Sequence, residues 1–231
     1  MTRLRANFAE GLAAVKIDDK WGYIDQTGKL VIKPQFTEVM NFAKGLAAVK
    51  INDKWGYIDQ TAKIVIPPQF LDYSFSSFSQ GLAAVEINDK WGYIDQTGKV
   101  VIQPQFKFAG GFSEGLAGIR IGNKAGFIDQ TEKIVIPLQF DKIDKFSEGL
   151  AAIKIDDKWG YIDQTGKVVI SPQFDLVKKF SQGLAAVIIN NQWVYIDKQG
   201  KIALQPPVEV NGINDFSEGL SAIWLGSSSR C

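Results

Sequence analysis

Apolar and polar positions recur along this chain in one fixed order. A run of the type Gly-Leu-Ala-Ala-Val is followed by two turn-forming residues and then by Lys-Trp-Gly-Tyr-Ile-Asp. A polar stretch, Gln-Thr-Gly-Lys, leads to a second apolar run that ends in Pro-Gln-Phe. The opening pair stands at Gly11, Gly45, Gly81, Gly115, Gly149, Gly183 and Gly219, at intervals of 34, 36, 34, 34, 34 and 36 residues. A fixed period of this size marks a repeat architecture. The two extra residues of the longer intervals fall between Phe70 and Phe78 and between Val208 and Phe216. Insertions confined to one segment mark it as a surface loop.

The periodicity predicts three antiparallel strands per unit: strand A (GLAAVKI), strand B (KWGYID) and strand C (KLVIKPQF). Two residues join A to B: Asp18-Asp19, Asn52-Asp53, Asn88-Asp89, Gly122-Asn123, Asp156-Asp157 and Asn190-Asn191. All are Asn, Asp or Gly, the types that best tolerate the positive φ a two-residue type I′ hairpin needs at both positions. The B–C connection, Asp-Gln-Thr-Gly-Lys, reads as a type I turn closed by a left-handed Gly28 in a G1 bulge. Gly98, Gly166 and Gly200 suit the same slot, whereas Ala62 and Glu132 occupy it at a cost of roughly 1–2 kcal/mol.

These hairpins imply a register. Ile17 faces Lys20, Val15 faces Gly22 and Ala13 faces Ile24. Across the second turn Ile24 faces Leu30 and Gly22 faces Ile32. Paired residues share a face. One face then carries Ala13, Val15, Ile17, Ile24, Leu30 and Ile32 and is expected to be core. The other carries Leu12, Ala14, Lys16, Trp21, Tyr23, Val31 and Lys33 and is expected to be an aromatic and charged surface. Gly22 is expected to leave a gap that the next layer fills, as strand glycines mark close approach. Gly56, Gly92, Gly126 and Gly160 repeat it, and Val194 replaces it near the end of the array, where a missing layer would tolerate the change. One such sheet is too small to fold alone and gains by stacking on its neighbours.

The expected organisation is a single repeat domain over 1–226. It comprises six full units (8–41, 42–77, 78–111, 112–145, 146–179 and 180–215), a terminal half repeat (216–226) capped by Trp224, and a flexible tail (227–231). The chain has 231 residues, with 26 Lys and Arg against 25 Asp and Glu. That balance gives no electrostatic footprint for nucleic acid or an acidic membrane. No apolar run is long enough to span a bilayer as a helix. No signal peptide is read in the first twelve residues; the compartment stays open, with a cytoplasmic one favoured over others. There is no histidine, and Cys231 is the sole cysteine, so the commonest general base and the usual zinc ligands are missing. No metal or other cofactor is expected.

The ordered elements F-x-E-G-L-A-x-V, K-W-G-Y-I-D and G-K-x-V-I-x-P-Q-F resemble the WG-containing repeat, also called the KWG repeat, over 8–226. Trp-Gly stands at Trp21, Trp55, Trp91 and Trp159, while Ala125-Gly126 lacks the tryptophan and Trp193-Val194 lacks the glycine. The resemblance implies a β-rich tandem array, bacterial in the main, with no agreed activity. The preferred architecture is all-β, with three-stranded antiparallel repeats stacked as an open β-solenoid or superhelix. A six-bladed β-propeller is the alternative, its fourth strand available only from segments such as FTEVM or FDKI. If strand A of each unit paired with strand C of the preceding one, successive units would face opposite ways.

Three features invite a functional reading. Asp25, Asp59, Asp95, Asp129, Asp163 and Asp197 recur in every unit, but nothing pairs them with a second carboxylate, and they read as turn formers bonding the backbone two residues on. Lys20, Lys54, Lys90, Lys124 and Lys158 flank the first turn and read as a solvated edge that resists aggregation. Trp21, Tyr23, Trp55, Tyr57, Trp91, Tyr93, Trp159, Tyr161, Trp193 and Tyr195 form the candidate ligand or partner surface. Their rings could stack on a glycan or a choline-like group, as in the loosely similar aromatic hairpins of choline-binding repeats; packing between units, with lysine stems lying over the rings, is the favoured explanation. Nothing arranges a nucleophile with a base. The expectation is a non-catalytic scaffold for another protein, with an envelope-glycan or choline-like ligand as the alternative.

Overall fold

The computed structural model describes residues 8–206 except Tyr73, together with the backbone pairings of 3–4, 212–213 and 223–224. The proposed tail, the side chain of Trp224 and most of the terminal half repeat lie outside the described residues. The described chain is all-β, without a helix, and falls into two compact units, Met1–Phe112 and Ser113–Cys231.

In the first unit, strands A, B and C are Leu12–Ile17, Lys20–Asp25 and Leu30–Phe36 in the first module. They are Leu46–Ile51, Lys54–Asp59 and Ile64–Phe70 in the second, and Leu82–Ile87, Lys90–Asp95 and Val100–Phe106 in the third. In the second unit they are Ala117–Ile121, Lys124–Ile128 and Ile134–Phe140, then Leu150–Ile155, Lys158–Asp163 and Val168–Phe174, then Ala185–Ile189, Gln192–Ile196 and Ile202–Leu204. Every pairing is antiparallel.

A short fourth strand lies outside strand A, drawn from the segment that ends the preceding module. Glu38–Val39 pairs with Lys50 and Val49, and Lys142–Ile143 pairs with Lys154 and Ile153. Single bridges, Phe75 to Val85 and Val177 to Val187, do the same for the third and sixth modules. The seventh copy begins alike, with Gly212–Ile213 paired to Ile223–Trp224. The imagined pairing of strand A with the preceding strand C is therefore absent among the described residues, because the short strand occupies that edge. Strand C is left as the opposite edge of each sheet.

The turns are those the residue types require. Both A–B turn residues have positive φ in five modules, from 46° at Asp18 to 64° at Asp157, and Gly122 does so in the remaining one. The B–C slot is left-handed at Gly28, Gly98, Gly166 and Gly200, and also at Ala62 (φ 68°) and Glu132 (φ 70°). The carboxylate of Asp25 receives the Thr27 amide at 2.9 Å, the Thr27 hydroxyl at 2.6 Å and the Lys29 amide at 3.0 Å.

The A–B register is as expected, with Val15 opposite Gly22 and Ile17 opposite Lys20. The B–C register is not. Ile24 does face Leu30, but Ile32 faces Tyr23 and Phe36 faces Trp21, so Lys33, Pro34 and Gln35 bulge opposite Gly22. This corrects the role of the glycine. A β-carbon on Gly22 would lie 2.7 Å from the Pro34 nitrogen and closer still to the Ile32 carbonyl oxygen. The space is filled by the module's own backbone, not by the next layer. Gly56, Gly92, Gly126 and Gly160 meet the same obstruction.

Both faces of the sheet are core, a second correction. Leu12, Ala14, Tyr23, Ile32 and Phe36 of the first module pack against Ala47, Val49 and Ile58 of the second. The same interlock joins the second to the third, the fourth to the fifth and the fifth to the sixth. The aromatic face of one module covers the aliphatic face of the next, and burying each large side chain contributes about 1.5–3 kcal/mol.

Candidate functional site

The tyrosines proposed as surface groups are interior. Tyr23, Tyr57, Tyr93, Tyr161 and Tyr195 are each at most 4% exposed. Their neighbours explain why. The first four rings each meet the phenylalanine that opens the next module: Tyr23 with Phe42, Tyr57 with Phe78, Tyr93 with Phe112 and Tyr161 with Phe180, at centroid distances of 4.8–5.0 Å. The same four hydroxyls donate to backbone carbonyls: Tyr23 to Met40 at 2.6 Å, Tyr57 to Ser76 at 2.7 Å, Tyr93 to Gly110 at 2.7 Å and Tyr161 to Lys178 at 2.6 Å. Burial pushes the phenols of Tyr57, Tyr93 and Tyr161 well above their ordinary titration range. A buried phenol that is already donating cannot present a face to a glycan.

The tryptophans stand second in strand B; Trp21, Trp55, Trp91 and Trp159 lie between a strand A residue and the strand C phenylalanine, and Trp193 is paired with Ile188 of strand A. Trp55 and Trp91 are buried, and Trp21, Trp159 and Trp193 are half-buried. In the second module the position is closed by charge. Lys50 meets Asp72 at 2.8 Å and Glu38 at 3.2 Å, and the Trp55 indole N–H donates to Asp72 at 2.6 Å. The hydrogen bond from Lys50, then that from Trp55, holds the Asp72 carboxyl below its usual range, and the same pairing raises the Lys50 ammonium. Asp72 belongs to the segment lengthened by two residues, and Phe75 from that segment packs on Trp55 at 5.1 Å. The structure thus separates the paired aromatics: the tyrosines are structural, and the tryptophans form a partly covered rim.

The recurrent aspartates are turn organisers. In Asp25, Asp59, Asp95, Asp129 and Asp163 the threonine hydroxyl two residues on is the largest influence lowering the carboxyl, and backbone amides add to it. The turn lysines stand exposed, and two make ion pairs: Lys124 with Asp141 at 2.7 Å and Lys158 with Asp175 at 2.6 Å. Among the described residues no group of histidine, cysteine or carboxylate side chains is placed to hold a metal ion.

Sequence reasoning missed the Phe-Ser-Glu-Gly segment. Its Glu and Gly form another turn with positive φ at both residues, as at Glu10 (52°) and Gly11 (83°). Glu10 reaches the next module's turn, accepting the Lys44 amide at 2.6 Å and the Gly45 amide at 2.8 Å. Glu148 accepts the Gln182 amide at 2.5 Å and the Gly183 amide at 2.9 Å, and Glu114 accepts the Gly149 amide at 2.9 Å. The serines add a second link: Ser79 donates to the Phe112 carbonyl, Ser113 to Phe146 and Ser147 to Phe180, at 2.7–2.8 Å. The signal was the recurrence of a carboxylate before four of the seven turn glycines, at Glu10, Glu114, Glu148 and Glu218. Its partner lies 34 residues away, beyond any local pattern.

Comparison with solved structures places this geometry among β-propeller and repeat-type folds. A eukaryotic initiation factor is 10% identical, with a TM-score of 0.61, covering 91% of this chain and 67% of its own. Kluyveromyces lactis Hsv2 with its loop 6CD replaced by a Gly-Ser linker is 10% identical, with a TM-score of 0.57, covering 93% and 85%. At such identity the likeness concerns the fold alone. No curated protein sequence matches the chain. The WG containing repeat matches seven consecutive segments, 6–21, 21–55, 55–91, 91–124, 126–159, 159–193 and 195–223. With its tight A–B turns, buried tyrosines and glycine-gated bulges repeated through both compact units, the chain belongs to the WG-containing repeat family.

Proposed function

We propose that the chain is a non-catalytic β-repeat scaffold that binds another protein along an extended surface. The observation that carries this reading is a row on the strand C edges. Leu30, Val31, Ile64 and Val101 are exposed in the first unit, and Ile134, Val168, Val169 and Ile202 in the second. Each group follows an exposed lysine: Lys29, Lys63, Lys99, Lys133, Lys167 or Lys201. Within a unit the rows adjoin, because each B–C loop lies over the isoleucine of the preceding strand C. A β-carbon on Gly98 would stand 3.2 Å from Ile66, and one on Gly166 3.2 Å from Ile136.

Recognition through side chains suits this edge better than strand addition. Proline interrupts the edge in the first five modules, and Gln35, Gln105 and Gln173 turn their amides back onto the carbonyls of Lys33, Gln103 and Ser171 at 3.3–3.4 Å. Such devices blunt a sheet edge. The carboxylates and tyrosines that recur most faithfully are engaged in building the module, so repetition here multiplies a surface.

The test is affinity capture with the full chain and with a triple variant, Val31→Asp, Ile64→Asp and Val101→Asp, whose circular dichroism and melting match the parent. Proteins retained by the parent and lost by the variant support the reading. Identical capture by both overturns it.

A further inference from the structure

The geometry points to a carboxylate-binding socket at the start of the third module, formed by the Gly81 amide with Lys44 and Gln96 beside it, which takes an acidic side chain of the protein partner. It rests on the scaffold reading and adds the chemistry of one contact. Three equivalent turns show what such a turn binds. The turn at Lys44-Gly45 holds Glu10, that at Glu148-Gly149 holds Glu114, and that at Gln182-Gly183 holds Glu148. Successive amides in a turn with left-handed residues converge on an anion. The B–C loop of the same module adds a donor: Gln164 meets Glu114 at 3.0 Å, and Lys198 meets Glu148 at 3.4 Å.

The third module keeps this turn unchanged. Gln80 has φ 52° and Gly81 φ 87°, Ser79 bridges to Leu82, and Phe78 packs on Tyr57 at 4.9 Å. The two-residue insertion is absorbed upstream. What differs is the residue one module back, where Lys44 stands in the place held elsewhere by Glu10, Glu114 or Glu148. Gln96, the counterpart of Gln164, donates instead to the Lys44 carbonyl at 2.8 Å. Among the described residues no acceptor takes the Gly81 amide. A turn shaped for a carboxylate is thus accompanied by a cation of this chain, and both favour an anion supplied from outside. Lys44 is exposed and Gly81 half-buried, so a side chain of a docked protein can reach them. All three cis ligands are carboxylates, so the socket is assigned to an Asp or Glu side chain.

Amide spectra of the full chain, titrated with acetate and separately with inorganic phosphate, test the socket. Acetate is expected to move the Gly81 amide saturably while Gly45 and Gly183, already bonded to Glu10 and Glu148, stay in place. Lys44→Glu is expected to supply the carboxylate in cis. The Gly81 amide then shifts toward the positions of Gly45 and Gly183, the acetate response disappears, and the melting temperature rises. A Gly81 amide indifferent to acetate, one that answers phosphate alone, or one unmoved by Lys44→Glu overturns the socket. The strand C triple variant separates the two proposals: it removes partner capture under the scaffold reading and leaves the acetate response of Gly81 intact.

Discussion

The fifth and sixth modules share one hairpin and diverge immediately after the tryptophan. In the fifth, Gly160 faces Ile153, and strand C runs from Val168 to Phe174, bulging so that Phe174 returns opposite Trp159. In the sixth, Val194 faces Val187 in the same register, but strand C ends at Leu204, opposite Tyr195. A β-carbon at position 160 would come within 2.7 Å of the Pro172 nitrogen. Val194 instead packs into the core against Leu150, Ala152 and Tyr161 of the fifth module. The layer beneath Val194 is present, contrary to the idea that a missing neighbour tolerates it. The lesson is that side chain and bulge compete for one volume, and the glycine in Trp-Gly selects the bulge.

The largest effect should come from reversing that choice. Gly160→Val is expected to force strand C away and expose Phe174, costing about 3 kcal/mol. That is a fall of roughly 6–12 °C in melting temperature for a chain of this size. The reverse change, Val194→Gly, restores the motif yet is also expected to destabilise, by about 1.5–3 kcal/mol, because it removes a buried isopropyl group. Thermal unfolding of both variants decides the matter. A Gly160→Ala protein that melts with the parent, or a Val194→Gly protein that melts higher, would break the comparison.

A middle-sized effect separates the fifth module from the fourth. The Tyr161 hydroxyl donates to the Lys178 carbonyl at 2.6 Å, whereas the fourth module carries Phe127, equally buried and 4.9 Å from Phe146. Tyr161→Phe is expected to cost about 1–2 kcal/mol, since it leaves a carbonyl without its donor. Phe127→Tyr is expected to cost less than Tyr161→Phe or to stabilise, as the new hydroxyl points where its counterparts find a carbonyl. Chemical denaturation midpoints measure both, and a Tyr161→Phe midpoint equal to the parent's would show that the hydroxyl contributes nothing.

These contrasts also show what the sequence could disclose. The A–B turns were legible because Asn, Asp and Gly at paired positions have one common conformational reason. The B–C slot was legible even at Ala62 and Glu132, because four glycines defined it. The aspartates were legible as turn formers for the same local reason. The second register was not, because Lys33-Pro34-Gln35 alternates acceptably as a plain strand and only the obstruction at Gly22 reveals the bulge. The buried tyrosines were hidden by the assumption that a sheet with lysines on one face has only one core face; here Lys16 and Lys50 sit at the rim while Tyr23 and Tyr57 sit at the centre. The Glu10 and Glu148 links were hidden because glutamate at positive φ contradicts its propensity. Both their geometry and their partners arise only once modules stack.

A smaller effect sharpens the contrast in the B–C loops. Glu132 holds a left-handed conformation that Gly166 adopts without strain. Glu132→Gly relieves roughly 1–2 kcal/mol of strain and gives back about 0.4–1 kcal/mol through the freer unfolded chain. The net gain is about 0.5–1 kcal/mol, a rise of roughly 1–4 °C. Ala62→Gly in the first unit is expected to gain less or nothing, because the Ala62 methyl packs against the core between the first and second modules. Paired melting curves check the difference, and a fall on Glu132→Gly would contradict the strain argument.

The smallest effect lies in the acid behaviour of the same loops. Asp163 accepts the Thr165 hydroxyl at 2.6 Å, the Thr165 amide at 2.9 Å and the Lys167 amide at 3.1 Å. Asp197 accepts only amides, from Gln199 and Lys201 at 2.9 Å, because the sixth module has no threonine there. The hydroxyl is the largest influence holding Asp163 below its usual range, with the amides and Lys167 assisting and burial opposing. A carboxyl depressed in the folded state stabilises fully above its unfolded pKa, about 3.9, and loses that contribution as pH falls through the folded value. Thr165→Gln gives the fifth loop the side chain of the sixth. The Asp163 carboxyl midpoint, followed by carbon NMR, is then expected to rise toward the ordinary value, and acid unfolding to begin at slightly higher pH. An Asp163 midpoint that stays where it was after Thr165→Gln would assign the depression to the backbone amides, and the two loops would then differ in sequence without differing in electrostatics.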